Sequence, residues 1–179
     1  MARRVFFSFH YDHDIFRANQ VRNANVVVGP DVAGFFDHSE YEEAKRKGDE
    51  AIRRMILRHL DRTSVTVVLI GRYTALRPWV WYEIAQSIER KNGLLGIYID
   101  HLWAPGDPLP PILARILPPT RILPRKPMIV EYPHYIWDGN VRRFAQAIEE
   151  AGQRSDELRQ PPPTTPSLSR PFPTRRFYS

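Results

Sequence analysis

Short apolar runs alternate with amphipathic segments over most of the chain up to about residue 100. The runs at 3–9, 64–71 and 94–100 are dense in branched and aromatic residues, which is typical of strands buried on both faces. A shorter run at 32–37 predicts a further strand that ends in a turn. Strands that alternate with helices usually pair in parallel through right-handed crossovers. The predicted fold class is therefore α/β, with a central, mostly parallel sheet of about five strands and helices on both faces.

Apolar residues three or four positions apart predict four helices, at 12–27, 48–61, 78–93 and 138–152. Their ends carry recognisable signals. Pro78 fits the first turn of its helix, and Asp49 stands near the start of another. Asp138 or Asn140 can cap the last helix, and Gly152 is its expected stop.

Two segments have a different composition from the rest of the chain. Nine of the 17 prolines lie between 104 and 133, which predicts a largely irregular region with a helical turn at 111–117 and a short strand at 127–132. The region 153–179 is biased towards Pro, Ser and Thr and cannot bury enough apolar surface to order itself. We therefore expect one domain, 1–152, followed by a flexible Pro/Arg-rich tail, 153–179.

The chain contains no cysteine, which excludes disulfides, thiolate metal ligands and a thiol nucleophile. The first residues lack the continuous apolar segment and cleavage site of a signal peptide. No uninterrupted apolar stretch approaches the roughly 20 residues needed to cross a bilayer. These features predict a cytoplasmic protein without a membrane anchor.

The formal net charge of +6 raises the question of a nucleic-acid partner. From 153 onward, five arginines stand against two acids, which leaves only +3 on the first 152 residues. The predicted domain has no basic stripe with interleaved aromatic residues. The charge distribution thus argues against nucleic acid as the partner.

In an open parallel sheet, ligands bind beyond the carboxyl ends of the strands. The segments expected there contain neither of the glycine-rich phosphate loops, which argues against a dinucleotide-binding dehydrogenase or a P-loop NTPase. The histidines and acids of 10–14 follow one another too quickly for one helix face, so a solvated polar loop is expected there rather than a metal site. Ser8 follows the first strand but lacks the nucleophile elbow of a serine hydrolase.

Trp79 and Glu83 are the residues of greatest chemical interest. Four positions separate them, so on a helix they lie on the same face, one turn apart and near its N-terminal end. One interpretation is an aromatic wall beside a carboxylate at the binding edge of the sheet. The other is structural, with Trp79 at the edge of the core and Glu83 stabilising the helix dipole.

Three segments together resemble a TIR (Toll/interleukin-1 receptor) domain. "VFFSFHYDHD" is similar to the family's first strand and the acidic segment after it, "GFFD" to its second-strand motif, and "VTVVLIGRYTALRPWVWYEI" to the strand, loop and helix that end in W-x-x-x-E. The resemblance covers roughly 3–100 and is greatest to the stand-alone prokaryotic group that includes the ThsB proteins of Thoeris antiphage defence. It implies a flavodoxin-like TIR fold.

The resemblance also implies an activity. Enzymatic TIR domains cleave the nicotinamide–ribose bond of NAD and make ADP-ribose or a cyclic or conjugated form of it. The family's essential glutamate corresponds to Glu83, and its tryptophan to Trp79. The first-strand serine and the two pocket residues after it correspond to Ser8, Phe9 and His10. NAD is then the substrate, and neither a metal nor a second cofactor is needed.

The implied setting is antiphage defence, in which a phage-derived trigger leads to a diffusible nucleotide that activates an effector protein. Homo-oligomers that complete the pocket are also a feature of the family. Two alternatives remain, a non-enzymatic TIR interaction module and a flavodoxin-like enzyme acting on another nucleotide. The segment after Asp37 lacks the partner-recruiting loop of receptor TIR domains, which favours an enzyme. Residues 73–78 also differ from the family's longer polar loop.

Overall fold

The computed structural model describes residues 3–25, 38–105 and 132–161. Within them, four strands form one sheet: β1 (Val5–Ser8), β2 (Val65–Ile70), β3 (Gly93–Tyr98) and β4 (His134–Ile136). Five helices accompany it: α1 (Tyr11–Asn25), α2 (His38–Lys47), α3 (Asp49–Leu60), α4 (Pro78–Glu89) and α5 (Val141–Arg159). A single 3-10 turn, Thr74–Leu76, precedes α4.

The sheet has the strand order β1-β2-β3-β4, and all three pairings are parallel. This confirms the predicted α/β class with a parallel sheet. The three apolar runs at 3–9, 64–71 and 94–100 contain β1, β2 and β3, and every residue of these three strands is buried. The predicted strand at 32–37 and the predicted elements at 111–132 lie largely or wholly outside the described residues, so the predicted count of about five strands is not decided by the four seen here.

Side chains that alternate along the strands build an apolar layer on each face of the sheet. One face packs against α1 and α5, with Phe7 and Phe144 fully buried and their ring centroids 6.4 Å apart. On the other face, Val68 and Leu94 pack against Val80 and Ile84 of α4. Beside α4, α3 buries its predicted apolar positions Ile52, Met55, Ile56 and Leu60 around Phe6. These layers fix α4 across the first three strands.

Several predicted helix signals are confirmed. Pro78 occupies the first turn of α4. Asn140 is the N-cap of α5, and its side chain accepts a hydrogen bond of 3.0 Å from the backbone N–H of Arg143. Among the described helices, none is long and apolar enough to span a membrane.

One helix was not predicted, and one local prediction is wrong. The acidic stretch after Asp37, for which no element was predicted, belongs to α2 from His38 onward. The histidines and acids of 10–14 are not a solvated loop, because α1 begins at Tyr11 and the side chain of Asp14 is completely buried. The helix predicted at 12–27 is α1, whereas α2 lacks the apolar periodicity that identifies a helix from sequence.

The predicted stop of the last helix at Gly152 is also wrong, because α5 continues to Arg159. A Cβ atom at 152 would lie 2.3 Å from Nε of Arg3, so the glycine permits a close approach of this helix to the chain before β1. Further along, the Ser155 hydroxyl donates to the carbonyl of Lys91 at 2.7 Å. The first residues of the predicted tail are therefore helical and packed, whereas 162–179 lie outside the described residues.

Candidate active site

The side chain of Glu83 projects from α4 into the fold and meets the carboxyl end of β1. Its side chain is only 5% exposed, and the Ser8 hydroxyl donates a hydrogen bond of 2.5 Å to its Oε2. The helix positions it there because Glu83 belongs to the buried face of α4, with Val80, Ile84 and Ser87. Glu83 therefore lies within the buried face of α4, and a solvent-exposed role at the helix dipole does not describe it.

The environment of Glu83 changes its acidity. Burial raises the pKa of its carboxyl to about 8, although the hydrogen bond from Ser8 acts in the opposite direction. At neutral pH the carboxyl is therefore mainly protonated in the ligand-free protein. A carboxyl group whose pKa is shifted by burial next to a strand end is a recurrent feature of functional sites.

Trp79 lies one turn before Glu83 but packs in a different direction. Its partly buried ring joins the apolar cluster of α3 and meets the Tyr82 ring edge-on, with 5.9 Å between the centroids. This packing agrees with the structural interpretation, in which Trp79 is a residue at the core edge. Its predicted part in substrate binding stays a prediction.

Phe9 lies on the opposite side of the sheet from Ser8, as adjacent positions along an extended strand do. Its ring is 7% exposed, belongs to the cluster of α1 and α5, and stacks on Tyr11 at 5.8 Å. Tyr11 in turn stacks on Tyr41 of α2 at 4.6 Å. The structure thus places Phe9 in the core behind the candidate site, and its predicted contact with substrate is untested.

His10 follows Phe9 at the same edge of the sheet as the start of α4. Its ring is 6% exposed, and neither ring nitrogen has a hydrogen-bond partner among the described residues. The nearest carboxylate oxygen, Oδ2 of Asp12, is 4.0 Å from Nε2, which is too far for a hydrogen bond. Burial, followed by the positive charge of Arg77, lowers the pKa of His10. A neutral, unpartnered imidazole is therefore available to a ligand here.

Tyr41 is a candidate site residue that the sequence interpretation missed. Burial raises the pKa of its hydroxyl, the charges of Asp12 and Glu83 act in the same direction, and those of Lys45 and Arg77 oppose them. The Tyr41 ring stacks on Tyr11 at 4.6 Å, next to the segment that follows β1. No element was predicted for the segment that carries Tyr41, so the sequence offered no signal for its position.

The part of the chain that contains the site is similar in sequence to known proteins. The sequence profile of the family "Thoeris protein ThsB, TIR-like domain" matches residues 6–103, which is more than half of the chain. The chain belongs to this family. A relative from Bacillus cereus (strain MSX-D12), named "Putative cyclic ADP-D-ribose synthase ThsB1", is 52% identical over 102 residues. That alignment covers 56% of this chain and 53% of the relative, so the chain spans about half the length of the curated relative it matches.

The family match contains all five predicted site residues: Ser8, Phe9, His10, Trp79 and Glu83. Within this TIR-like domain, the structure brings Ser8 and Glu83 into direct contact and places His10 at the same edge of the sheet. Trp79 and Phe9 pack in the two flanking apolar layers.

In the described part of the chain, one cluster of three side chains has the spacing of a metal site. One ligand atom each of His10, His13 and Asp14 lies within 4.8 Å of the others. The Asp14 carboxylate, however, already has other partners. It contacts His13 Nδ1 at 2.9 Å, an Arg17 guanidinium nitrogen at 3.4 Å and the Thr74 hydroxyl at 3.4 Å. With a buried guanidinium beside it, this carboxylate is better explained as a structural link than as a cation ligand. The absence of a metal requirement stays a prediction.

A chain of buried hydrogen bonds supports the helix that carries Glu83. Arg159 donates to Asn92 Oδ1 at 2.9 Å, and the Asn92 amide donates to the Thr66 hydroxyl at 3.2 Å. Thr66 then donates to Ser87 at 2.8 Å, and Ser87 donates to the backbone carbonyl of Glu83 at 2.7 Å. The end of α5 is thereby joined to the middle of α4, which fixes the position of the candidate glutamate.

A cavity of about 440 Å³ lies elsewhere, in the groove between α2 and α3. Its lining combines acidic residues, such as Glu43, with basic ones, such as Arg54. None of the five predicted site residues lines it. The groove is therefore separate from the candidate active site.

Proposed function

We propose that this TIR-like domain is part of an enzyme that cleaves the nicotinamide–ribose bond of NAD and forms a cyclic ADP-ribose-type nucleotide. The family membership and the name of the Bacillus cereus relative support the substrate class. The observation that carries the proposal is the buried Glu83 carboxyl, held by Ser8 at the carboxyl edge of a parallel sheet.

The reaction begins when the bond between C1′ of the ribose and the ring nitrogen of nicotinamide breaks. Its electron pair leaves with nicotinamide, which becomes neutral, and positive charge develops on the ribose, as in other glycosidic cleavages. A nucleophilic atom of the same ADP-ribose unit then donates an electron pair to C1′, which closes the ring, and the attacking group releases a proton to the solvent. The step needs stabilisation of a cation more than it needs a strong base.

Glu83 supplies that stabilisation. The nicotinamide ring of NAD carries a fixed positive charge, which favours ionisation of a neighbouring carboxyl that is mainly neutral without ligand. Once ionised in a site with little water, the carboxylate stabilises the positive ribose more strongly than it could in solution. Ser8 orients it through the hydrogen bond to Oε2. Trp79 and Phe9 support the site through the apolar layers in which they pack, on either side of the sheet.

The proposed biological role is the one that the resemblance to Thoeris TIR domains implies. The nucleotide product signals to a separate effector protein in defence against phage, after a phage-derived trigger activates the enzyme. Assembly of several copies completes the pocket. The reaction uses NAD as substrate and needs no metal or further cofactor, so chelators leave it unchanged.

The direct test is nicotinamide release from NAD, followed by chromatography and mass spectrometry of the products. Glu83→Gln is expected to abolish release, and Ser8→Ala to reduce it. Glu89→Gln is the matched control, because Glu89 is an exposed glutamate on the same helix whose side chain accepts a hydrogen bond from Gln86. A Glu83→Gln protein that releases nicotinamide as fast as the wild type would exclude the proposed mechanism. If cells that express Glu83→Gln still resist phage, the protein would instead act as an interaction module.

A further inference from the structure

The first turn of α4 has features of an anion-binding site. This 12-residue helix has no acidic residue in its first turn, and its N-cap residue Arg77 makes no side-chain capping hydrogen bond. Pro78 has no N–H, but the backbone N–H groups of Trp79 and Val80 point out of the helix end and have no hydrogen-bond acceptor among the described residues. Such a turn favours phosphate through both its free N–H groups and its dipole.

His10 gives a second, independent indication of a ligand. It is more than nine-tenths buried at the same edge of the sheet, and both of its ring nitrogens lack hydrogen-bond partners among the described residues. Leaving a buried polar group unpaired carries a free-energy cost in the folded protein. A ligand oxygen that accepts from His10 would remove this cost.

Arg77 connects these two features. Its guanidinium is exposed and has no ion-pair partner in the described part of the chain. The segment before α4 lies beside His10, because the His10 ring stacks on His13 at 5.7 Å and His13 meets the Tyr73 ring edge-on at 4.8 Å. In agreement with this, the positive charge of Arg77 contributes, after burial, to the lowered pKa of His10. The nearest acid to His10, Asp12, is paired with Lys45 at 3.6 Å, which offsets its repulsion of an anion. Planar guanidinium groups bind phosphate oxygens well.

We infer that Arg77, the free N–H groups of the first turn of α4 and His10 bind the diphosphate group of the dinucleotide substrate. The assignment rests on the proposed function and gives the substrate an orientation. The diphosphate lies at the start of α4, and the nicotinamide ribose lies one to two turns further along, at Glu83.

Calorimetry tests this subsite by measuring how three probes bind to the full chain. The probes are ADP-ribose, inorganic pyrophosphate, and adenosine, which lacks the diphosphate. Arg77→Gln is expected to weaken ADP-ribose and pyrophosphate by about tenfold, as the loss of one charge-assisted hydrogen bond implies, and to leave adenosine unchanged. Arg72→Gln is the matched control, since Arg72 is an exposed arginine five residues earlier. His10→Asn should weaken ADP-ribose with an unchanged dependence on salt, whereas Arg77→Gln should reduce that dependence.

The outcomes separate this inference from the proposed reaction. Tight ADP-ribose binding by Arg77→Gln, or no binding of ADP-ribose and pyrophosphate by the wild type, would overturn the subsite even if NAD is cleaved. Arg77-dependent binding in a protein that never releases nicotinamide would support the subsite and count against the reaction. A thermal unfolding midpoint equal to that of the wild type shows that each variant is folded.

Discussion

The burial of Glu83 predicts an unusual dependence of stability on pH. The carboxyl has a pKa of 4.5 in the unfolded chain and about 8 in the fold, because burial disfavours its charged form. Because the carboxyl has a higher pKa in the fold than in the unfolded chain, its protonated form favours folding. This contribution to stability is fully present below pH 4.5. Stability is therefore lost as pH rises from about 4.5 to about 8. Glu83→Gln removes this titration and keeps the size of the side chain.

The size of the effect follows from the shift in pKa. Each pH unit between the two pKa values costs the wild type up to ~1.4 kcal/mol of unfolding free energy. Between pH 5 and pH 8, the wild type should thus lose about 3 to 4 kcal/mol relative to Glu83→Gln. The extra amide N–H of glutamine can cost about 1–3 kcal/mol if unpaired, but that cost is the same at every pH. The change with pH is consequently the diagnostic quantity.

Urea unfolding followed by tryptophan fluorescence at several pH values measures this change, since two of the four tryptophans, Trp79 and Trp81, lie on α4. Glu89→Gln should track the wild type, because Glu89 is exposed. If the free-energy difference between Glu83→Gln and wild type stays constant from pH 5 to pH 8, Glu83 is not the buried neutral acid described above.

Three further substitutions test the surroundings of the site. Ser8→Ala removes the hydrogen bond that opposes the raised pKa of Glu83, so the pH profile of nicotinamide release should move to higher pH; an unmoved profile would contradict the contact. Gly71→Ala places a Cβ 2.3 Å from the buried Asp14 carboxylate and should destabilise the fold by about 2 kcal/mol or more in urea unfolding. Asp14→Asn removes the carboxylate charge from the buried ion pair with Arg17, at an expected cost of about 3–5 kcal/mol, whereas Asp12→Asn at the exposed neighbour should cost less than about 1 kcal/mol.

The strands and most of the helices could be predicted because their physical signals are local. Strands buried on both faces, such as Val65–Ile70, form continuous apolar runs. Helix α2 gave no such signal. It buries Ala44 and is held to α3 partly by polar contacts, among them the ion pair of Glu40 with Arg58. The continuation of α5 past Gly152 depends on the approach to Arg3, a contact between distant parts of the chain.

The candidate site was only partly predictable. Ser8 and Glu83 were identified by resemblance, but the burial of a carboxylate is set by tertiary packing and runs against the usual preference of glutamate for the surface. The direction of Phe9 could have been predicted, because it directly follows Ser8 and strand residues alternate between faces. The unpartnered ring of His10 and the position of Tyr41 depend on how α1 and α2 pack at the sheet edge, which no local pattern records.

The most direct test of the central claim is mass spectrometry of the nucleotides made from NAD by the wild type, Glu83→Gln and Glu89→Gln, both with purified protein and in cells under phage challenge. We expect nicotinamide and a cyclic ADP-ribose-type species with the wild type and Glu89→Gln, and neither product with Glu83→Gln. If Glu83→Gln makes the same products, or if the wild type makes none in cells that it protects from phage, the assignment of Glu83 as the catalytic residue of an NAD-cleaving enzyme is wrong.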